Sequence, residues 1–562
     1  MADGNAASHG RSRAVDLVTL LWGGALATWL TWRYFTYPPG SMHWNHEGAT
    51  YVLRLIEFVD CLRAGQLFPQ WASDFRGGLG GPYFGYYQPG FFYVASVFTP
   101  FLSMTAALGA ALWCLSLAGF LATAALVRPR FGGAAGLLAG SALLLSPYPR
   151  IELYMRGDLS EYAGMMMLPA ALYALVTWFE ETHPHTWCGL AFCSGALVVL
   201  HAVVGLVGYG VLAVATVWYA VTLGAWRRGV GAVGALLLGI GLTTFYWLPV
   251  ALEWSFARGD IMAAGPFHYA RHFVLARQLL GWEGKRLHIP VSLGPVVPAL
   301  MIVGAMLWLI RPKERRAAQG RLVMLFWVIA VVAAFLMTSP SQPVWEKLLL
   351  LQKLQFPWRL LVVVTVATAV LAGCQPAWPR VVAPVGIAAL LFLVVGLKPG
   401  PLVPYTAMHT GADLRAIHFG PDGVGEWLPR GARNFANATV PQEPTCTPAC
   451  ESASLERGQG WLRIRLTTEQ TASVVLPHYF FPAGWQVTLD GAAIELDRSP
   501  DGLMLLVVPP VRDGVIEARF YGTPMRRRGI AISAGALALW LAALANGRFR
   551  RGDASMRAVT PT

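Results

Sequence analysis

Three short stretches concentrate the carboxylates, imidazoles and guanidiniums that could do chemistry. Gly40-Ser-Met-His43-Trp-Asn-His46-Glu47-Gly48 sets one carboxylate beside two histidines. At a water-lipid boundary, partial loss of water suits such a carboxylate to general-base work. Arg156-Gly-Asp158-Leu-Ser-Glu161 places two more carboxylates three residues apart, on one face of a helix that starts at Asp158. Both stretches have a plainer use as well. An acid in a first turn is favoured by the helix dipole, and Asp158 with Glu161 fits an N-cap with its capping acid. The third stretch is Leu354-Gln-Phe-Pro-Trp-Arg359, whose cation could hold a leaving phosphate or pyrophosphate. His43, His46, Arg156, His268, His272 and Lys347 are further binding candidates, intermixed with aromatic residues such as Tyr269, Trp345 and Trp358. That mixture also belongs at any headgroup layer. His201 lies within an apolar run, where a histidine is usually satisfied by its neighbours, although ionisable groups inside a membrane are functional candidates. Glu47, Asp158 and Glu161 are hard-cation donors if their loops meet, but no metal is predicted.

The elements that must position these residues are membrane spans. Of 562 residues 55% are hydrophobic and 13% charged, about half the charge of an average soluble domain. Windows of about 20 apolar residues recur, the length that crosses a hydrocarbon core. Spans are expected at 16–36, 106–127, 132–147, 163–180, 187–204, 206–224, 230–252, 291–310, 322–338, 360–375, 380–397 and 528–546, about twelve in all. The first is too long for a signal-peptide core and is read as retained. The net charge of +13 sits in short runs between apolar segments, which orients a membrane protein and gives no reason to expect nucleic acid. Arg11 and Arg13, Arg128 and Arg130, Arg227 and Arg228, 311–316 and 548–551 then fall in the cytoplasm with both termini. Arg526 to Arg528, on the outer side, is the exception. The outer side receives 37–88, 148–161, 253–290, 339–359 and the region 399–524. In the first of these, Val52, Leu55, Ile56, Val59 and Leu62 mark a helix expected along the membrane surface.

The predicted fold is therefore a polytopic α-helical membrane protein with a small extracytoplasmic β-sandwich before its last span. A multi-span module covers 1–398, the β-rich domain 399–524, and the last helix with a basic tail 525–562. Trp461-Leu-Arg-Ile-Arg-Leu466 alternates, and Asp490-Gly491 and Asp513-Gly514 read as turns between short strands. Cys446 and Cys450 stand four apart in the polar region. They could form a disulfide in an oxidising compartment or remain two free thiols.

The stretch Glu57-Phe-Val-Asp-Cys-Leu-Arg-Ala-Gly65-Gln-Leu-Phe-Pro69-Gln-Trp71, then Gly77-Gly-Leu-Gly80-Gly-Pro82-Tyr-Phe-Gly-Tyr86-Tyr87-Gln-Pro89, resembles an outer-loop signature. It is that of the bacterial YfhO-like and PTPS-related (6-pyruvoyl-tetrahydropterin synthase-related) membrane proteins. Leu354 to Arg359, Gly425-Glu-Trp-Leu-Pro429 and Phe481-Pro-Ala-Gly-Trp485 extend the match. Those families are similar to the GT-C superfamily of glycosyltransferases, which implies a GT-C-like module in the bacterial inner membrane. It also implies a polyprenyl-phosphate sugar as donor substrate, a glycan, lipid or protein acceptor, and an acidic catalytic residue in the first outer loop. Glu47 occupies that position, and Asp158 and Glu161 resemble a second acidic motif. Sugar transfer at the outer face, inverting the anomeric centre, is the expectation. The alternatives are a transporter or flippase of a lipid-linked saccharide, and a non-catalytic envelope-assembly factor.

Overall fold

The computed structural model describes residues 2–37, 41–43, 45–258, 265–279, 299, 302, 305, 306, 308, 309, 313–374, 402–404, 428–435 and 440–557. Among them, Met104–Phe131, Leu159–Glu181, Ala202–Leu223, Gln319–Leu336 and Pro524–Asn546 are each long and apolar enough to cross a membrane. Trp226–Leu242 and Thr244–Leu252, bent by 74° at their break, form a broken span or a re-entrant loop. Val15–Thr31, Pro184–Leu200 and Pro357–Gly373 are shorter apolar helices. Among the described residues, length and apolarity support five or six of the about twelve expected spans. At 132–147 the chain forms a helix of only 13 residues, Gly133–Leu145, roughly 20 Å long. The expected spans 291–310 and 380–397 lie wholly or mostly outside the described residues.

Polar contacts sort the helix ends into two faces. At one face Arg128 pairs with Asp16 and Arg130 with Glu180, while Gln319 Nε2 donates to the Arg130 carbonyl at 2.6 Å. At the opposite face lie the starts of Leu159–Glu181 and Ala202–Leu223, the segment before Leu361–Gly373, and the chain between the first helix and Met104. A single residue, His201, reverses the chain between Pro184–Leu200 and Ala202–Leu223.

The helix Gly48–Arg63 departs from its predicted place on the membrane surface. Every residue from 51 to 59 is buried, Arg54 and Glu57 included. Its polar side is covered because the following loop folds back over it: Phe84, Phe92 and Tyr93 pack on Phe58, and the Asp74 N–H donates to Glu57 at 3.1 Å.

The β domain consists of two antiparallel sheets. One runs in spatial order Thr445–Thr447, Ala472–Tyr479, Leu503–Val508, Leu496–Arg498, the other Ser452–Gly458, Trp461–Thr468, Val511–Phe520, Trp485–Leu489, Ala492–Ala493. Alternation buries Leu462, Ile464 and Leu466 against Val474, Leu476, Met504 and Leu506. Asp490 and Gly491, both at positive φ, turn the chain as expected. Asp513-Gly514 does not turn it. Asp513 is left-handed within the strand Val511–Phe520, whose register slips between Val511 and Gly514, so the pair makes a β-bulge. Cys446 and Cys450 are disulfide-bonded.

The sandwich sits directly on the first loop, which contributes Trp71, Leu79 and Tyr86 to its core. Trp71 is enclosed by His478, Phe481, Trp485 and Phe520, with ring centroids 5.4–5.9 Å away. Its Nε1 donates to His478 Nε2 at 2.9 Å, leaving Nδ1–H for the Gly78 carbonyl at 3.1 Å. Arg526, expected to break the basic-loop pattern, is buried in this joint and donates to the Pro69 carbonyl at 2.8 Å. It is a packing residue rather than a free surface charge.

His478 makes the joint pH-sensitive. Burial, helped by the nearby Arg457 cation, lowers its pKa from 6.5 to about 3. Unfolded, it binds a proton below about pH 6.5; folded, only below about pH 3. The unfolded state thus holds more protons in that window, and stability falls with pH by up to about 1.4 kcal/mol per unit from this group. Thermal unfolding of the wild type should steepen in its pH dependence below about pH 6.5, and His478→Gln should flatten that slope although it lowers stability at neutral pH.

Candidate functional site

The two acidic loops meet. The segment Glu152–Arg156 is a π-helical turn closed by Gly157 at φ 77°. A Cβ on Gly157 would lie within 3 Å of Asn45 Oδ1 and the Gly48 amide. Glycine there lets the chain before Gly48–Arg63 approach, and the Glu47 N–H donates to the Arg156 carbonyl at 3.2 Å.

Arg156 is the centre of a buried ion cluster. Its Nη1 lies 3.0 Å from both Glu152 oxygens and 2.5 Å from Glu161 Oε2, and its Nη2 lies 3.1 Å from Asp158 Oδ2. The guanidinium faces the Trp358 ring at 4.7 Å. Arg359 arrives from the far side: its Nε is 3.0 Å from Glu161 Oε2. That pair lacks hydrogen-bond alignment and is held by charge alone. Tyr148 donates to Glu161 Oε1 at 2.8 Å. Asp158 also caps Leu159–Glu181, accepting the Glu161 N–H at 3.0 Å, so the capping and clustering uses of this residue coexist. His201 Nδ1 accepts the Val204 N–H at 3.2 Å while Nε2 faces Asp158 and Glu161 at 3.7 and 3.9 Å.

A tyrosine pair joins this cluster to Glu47. Tyr51 donates to Asp158 Oδ1 at 2.8 Å, accepts the Ser160 N–H at 3.1 Å, and shares a 2.7 Å contact with the Tyr87 hydroxyl. Arg54 Nη1 reaches both Tyr87 OH and Glu47 Oε2 at 3.0 Å. The Arg54 guanidinium is enclosed by the rings of Tyr51, Tyr83 and Tyr87 at 5.2, 5.2 and 4.5 Å. Burial, then the Asp158 carboxylate, pushes the Tyr51 phenol well above its usual range, so it remains a donor.

Electrostatics divide the acids. Burial drives the Glu152 carboxyl up, and Glu161 and Asp158 add to the push against Arg156, leaving it well above the ordinary carboxylate range. Burial also opposes ionisation of Asp158, but Arg156, His201 and Arg359 outweigh it and hold that group well below. Glu47, Asp158 and Glu161 face the guanidiniums Arg54, Arg156 and Arg359, so each buried cation has an acid beside it.

Access singles out Glu47. Its side chain is 33% exposed, against 4% for Asp158 and none for Glu152 or Glu161. Arg359 is 11% exposed. The other sequence-derived candidates lie at varied positions around the network. His46 is exposed beside Glu47, and His43 ends the strand Ser41–His43. His272 places its ring edge on Phe356, which the Arg359 guanidinium also contacts. His268 and Lys347 are exposed. Sequence reasoning did not select Tyr51, Arg54, Tyr87, Tyr148 or Glu152. Only Arg54, a cation placed seven residues after Glu47 within an apolar helix, offered a signal.

Asp158, Glu161 and His201 offer three donors within 4.8 Å of one another, a set whose chemistry suits a divalent ion. Their oxygens already face Arg156 and Arg359. An ion entering there would meet guanidiniums at contact distance, so the donor set does not fit a resident metal.

The class defined so far is a multi-span membrane protein with a charged site at one face and a β-sandwich seated over it. No protein-family model matches the chain, and no curated protein matches it in sequence. Among solved structures it is similar to the arabinofuranosyltransferase AftD from Mycobacteria, with TM-score 0.39 and 18% identity over 74% of this chain and 27% of that one. A mutant form of AftD gives 0.40 and 17% over 74% and 28%. The apo oligosaccharyltransferase of Archaeoglobus fulgidus gives 0.39 and 11% over 72% and 56%. The chain thus spans between about a quarter and just over half the length of these proteins. Overlap at this level does not define a shared fold.

Removing the central cation leaves buried carboxylates uncompensated. Arg156→Met should cost about 3–5 kcal/mol, read as a large fall in thermal midpoint in detergent or as loss of folded protein. Glu47→Gln keeps an oxygen acceptor for Arg54 but removes the counter-charge of a buried guanidinium, with Glu47 itself one-third exposed, and should cost about 1–3 kcal/mol, less than Arg156→Met.

Proposed function

We propose that this chain is a membrane glycosyltransferase that moves a sugar from a polyprenyl-phosphate donor to a glycan, lipid or protein acceptor at the outer face of a bacterial inner membrane. The observation that carries the reading is Glu47, the one carboxylate of this network with solvent access among the described residues, fixed at the edge of a buried set of ion pairs. Such a group can accept a proton from an acceptor hydroxyl, while the sealed acids cannot touch substrate. The acceptor O–H bond breaks toward Glu47 as its oxygen attacks the anomeric carbon. The bond from that carbon to the phosphate oxygen breaks, and polyprenyl phosphate departs with the electron pair. One displacement inverts the anomeric centre, and Glu47 returns its proton to solvent.

Arg359 is the cation proposed to meet the leaving phosphate, since it is partly exposed and its charge is shared with Glu161. Asp158 and Glu161 act as positioning residues through Arg156 and Arg359. Tyr51 and Arg54 hold Glu47 in place from the other side.

Glu47→Gln should lower transfer by about 10²–10⁴-fold while the protein still folds. The assay is release of polyprenyl phosphate from a panel of radiolabelled polyprenyl-phosphate sugars mixed with lipid and envelope-glycan acceptors. Undiminished turnover in the mutant would sink the assignment of the base. Binding or flipping without release on an adequate panel would favour a transporter.

A further inference from the structure

Between the span Gln319–Leu336 and Arg359 the chain makes a compact excursion through Ser339–Ser341, Gln342–Lys347 and Leu349–Gln352. It is firmly held. Trp345 is fully buried, its Nε1 donates to the Leu336 carbonyl at 2.9 Å, and its ring stacks on Tyr269 at 5.3 Å. Gln352 Nε2 donates back to the Trp345 carbonyl at 2.9 Å, and the Leu351 N–H to the Leu348 carbonyl at 2.8 Å. Yet this ordered turn leaves Leu348, Leu349 and Leu350 exposed by 54, 68 and 63%. Three adjacent leucines held outward by buried packing form a surface that water does not favour.

The neighbouring surface identifies what covers them. Val328, Val331, Val332 and Phe335, on the adjoining span, are likewise exposed, as residues facing lipid chains must be. The Trp345 anchor on Leu336 keeps the excursion at the end of that span. Lys347 and Lys353 bracket the leucines and are exposed, as suits cations that meet lipid phosphate; the one acid of this turn, Glu346, is engaged by Gln342 Nε2 at 2.8 Å. Beyond Lys353 the chain turns inward at once. Leu354 is buried, and Arg359 Nη1 donates to the Leu354 carbonyl and to Gln355 Oε1 at 3.1 and 2.9 Å.

We propose that the leucine turn inserts into the membrane leaflet on the site's side, forming a lipid-binding lip whose lysines meet lipid phosphate beside Arg359. The lip's use, admitting a phosphate-bearing lipid substrate, rests on the glycosyltransferase reading; its insertion does not.

The test uses the full chain in nanodiscs containing anionic phospholipid, with the exposed free thiol removed by Cys114→Ala. A nitroxide is attached at Leu349→Cys and, as a water-facing control, at Val507→Cys on the sandwich. The ratio of collisions with oxygen to collisions with a water-soluble nickel chelate should be severalfold higher at 349 than at 507. Equal ratios overturn the proposal. A photo-crosslinker in place of Leu350 provides a second reading: adducts of phospholipid mass support insertion, and adducts to a second copy of the chain overturn it in favour of a protein interface. Insertion without release of polyprenyl phosphate on any donor would remove the glycosyltransferase reading and leave the lip.

Discussion

Neutralising charge away from water is the constraint from which the site's architecture follows. Four carboxyl groups and three guanidiniums converge at the ends of apolar helices, where an unpaired ion would cost several kcal/mol. Arg156 resolves most of this by touching Glu152, Asp158 and Glu161 at once. Each partner then dictates a backbone feature. Glu152 and Arg156 share one π-helical turn, Asp158 caps the following span, and Gly157 between them takes the left-handed conformation that a side chain would resist. The first loop docks against the resulting surface through the Glu47 amide, and the Arg359 segment docks through Glu161. Loops distant in sequence are thereby held together by one set of ion pairs.

The β-sandwich contributes rigidity to the same assembly from the other side. The helix Gly48–Arg63 begins at Glu47, and the loop that follows it is fastened to the sandwich by Trp71, by Ser73 to the Gly460 amide, and by Asp74 to Gln459. Movement of the sandwich must therefore be transmitted to the loop that packs Tyr83 and Tyr87 around Arg54, and through Arg54 to Glu47. Among the described residues the domain is mechanically continuous with the site. The disulfide between Cys446 and Cys450 lies at the start of this domain and touches none of the site residues.

Much of this was legible in the sequence because hydrophobicity has a length and strands have an alternation. The apolar windows, the acidic pairs and the strands beginning at Trp461 and Leu503 all follow from local pattern. The departures have a common cause. Local pattern assigns polar residues to water, whereas the side chains of Arg54, Glu57 and Arg526 are buried with partners 7 to 457 residues away in the chain. The helix Gly48–Arg63 was misplaced on the surface because its polar face is satisfied by tyrosines and by the Asp74 amide instead of by solvent. Asp513-Gly514 misled for a related reason: left-handed residues permit a bulge as readily as a turn, and which one forms depends on the neighbouring strand. Tyr51 and Tyr87 carry no pattern that separates a network hydroxyl from an ordinary aromatic core residue.

The same partner-counting separates the roles of the acids more sharply than their spacing does. Asp158 accepts from Tyr51 and the Glu161 amide on one oxygen and from Arg156 on the other, while Glu161 is divided among Tyr148, Arg156 and Arg359. A substrate hydroxyl approaching either would have to displace partners that balance a buried charge. Glu47 Oε2 meets Arg54, and its side chain is one-third exposed. The guanidinium that holds it is enclosed by three rings, so Glu47 is held from one side without being sealed in. The proposed base needs both a held position and access to an acceptor; the Arg54 contact provides the first and the partial exposure of Glu47 the second.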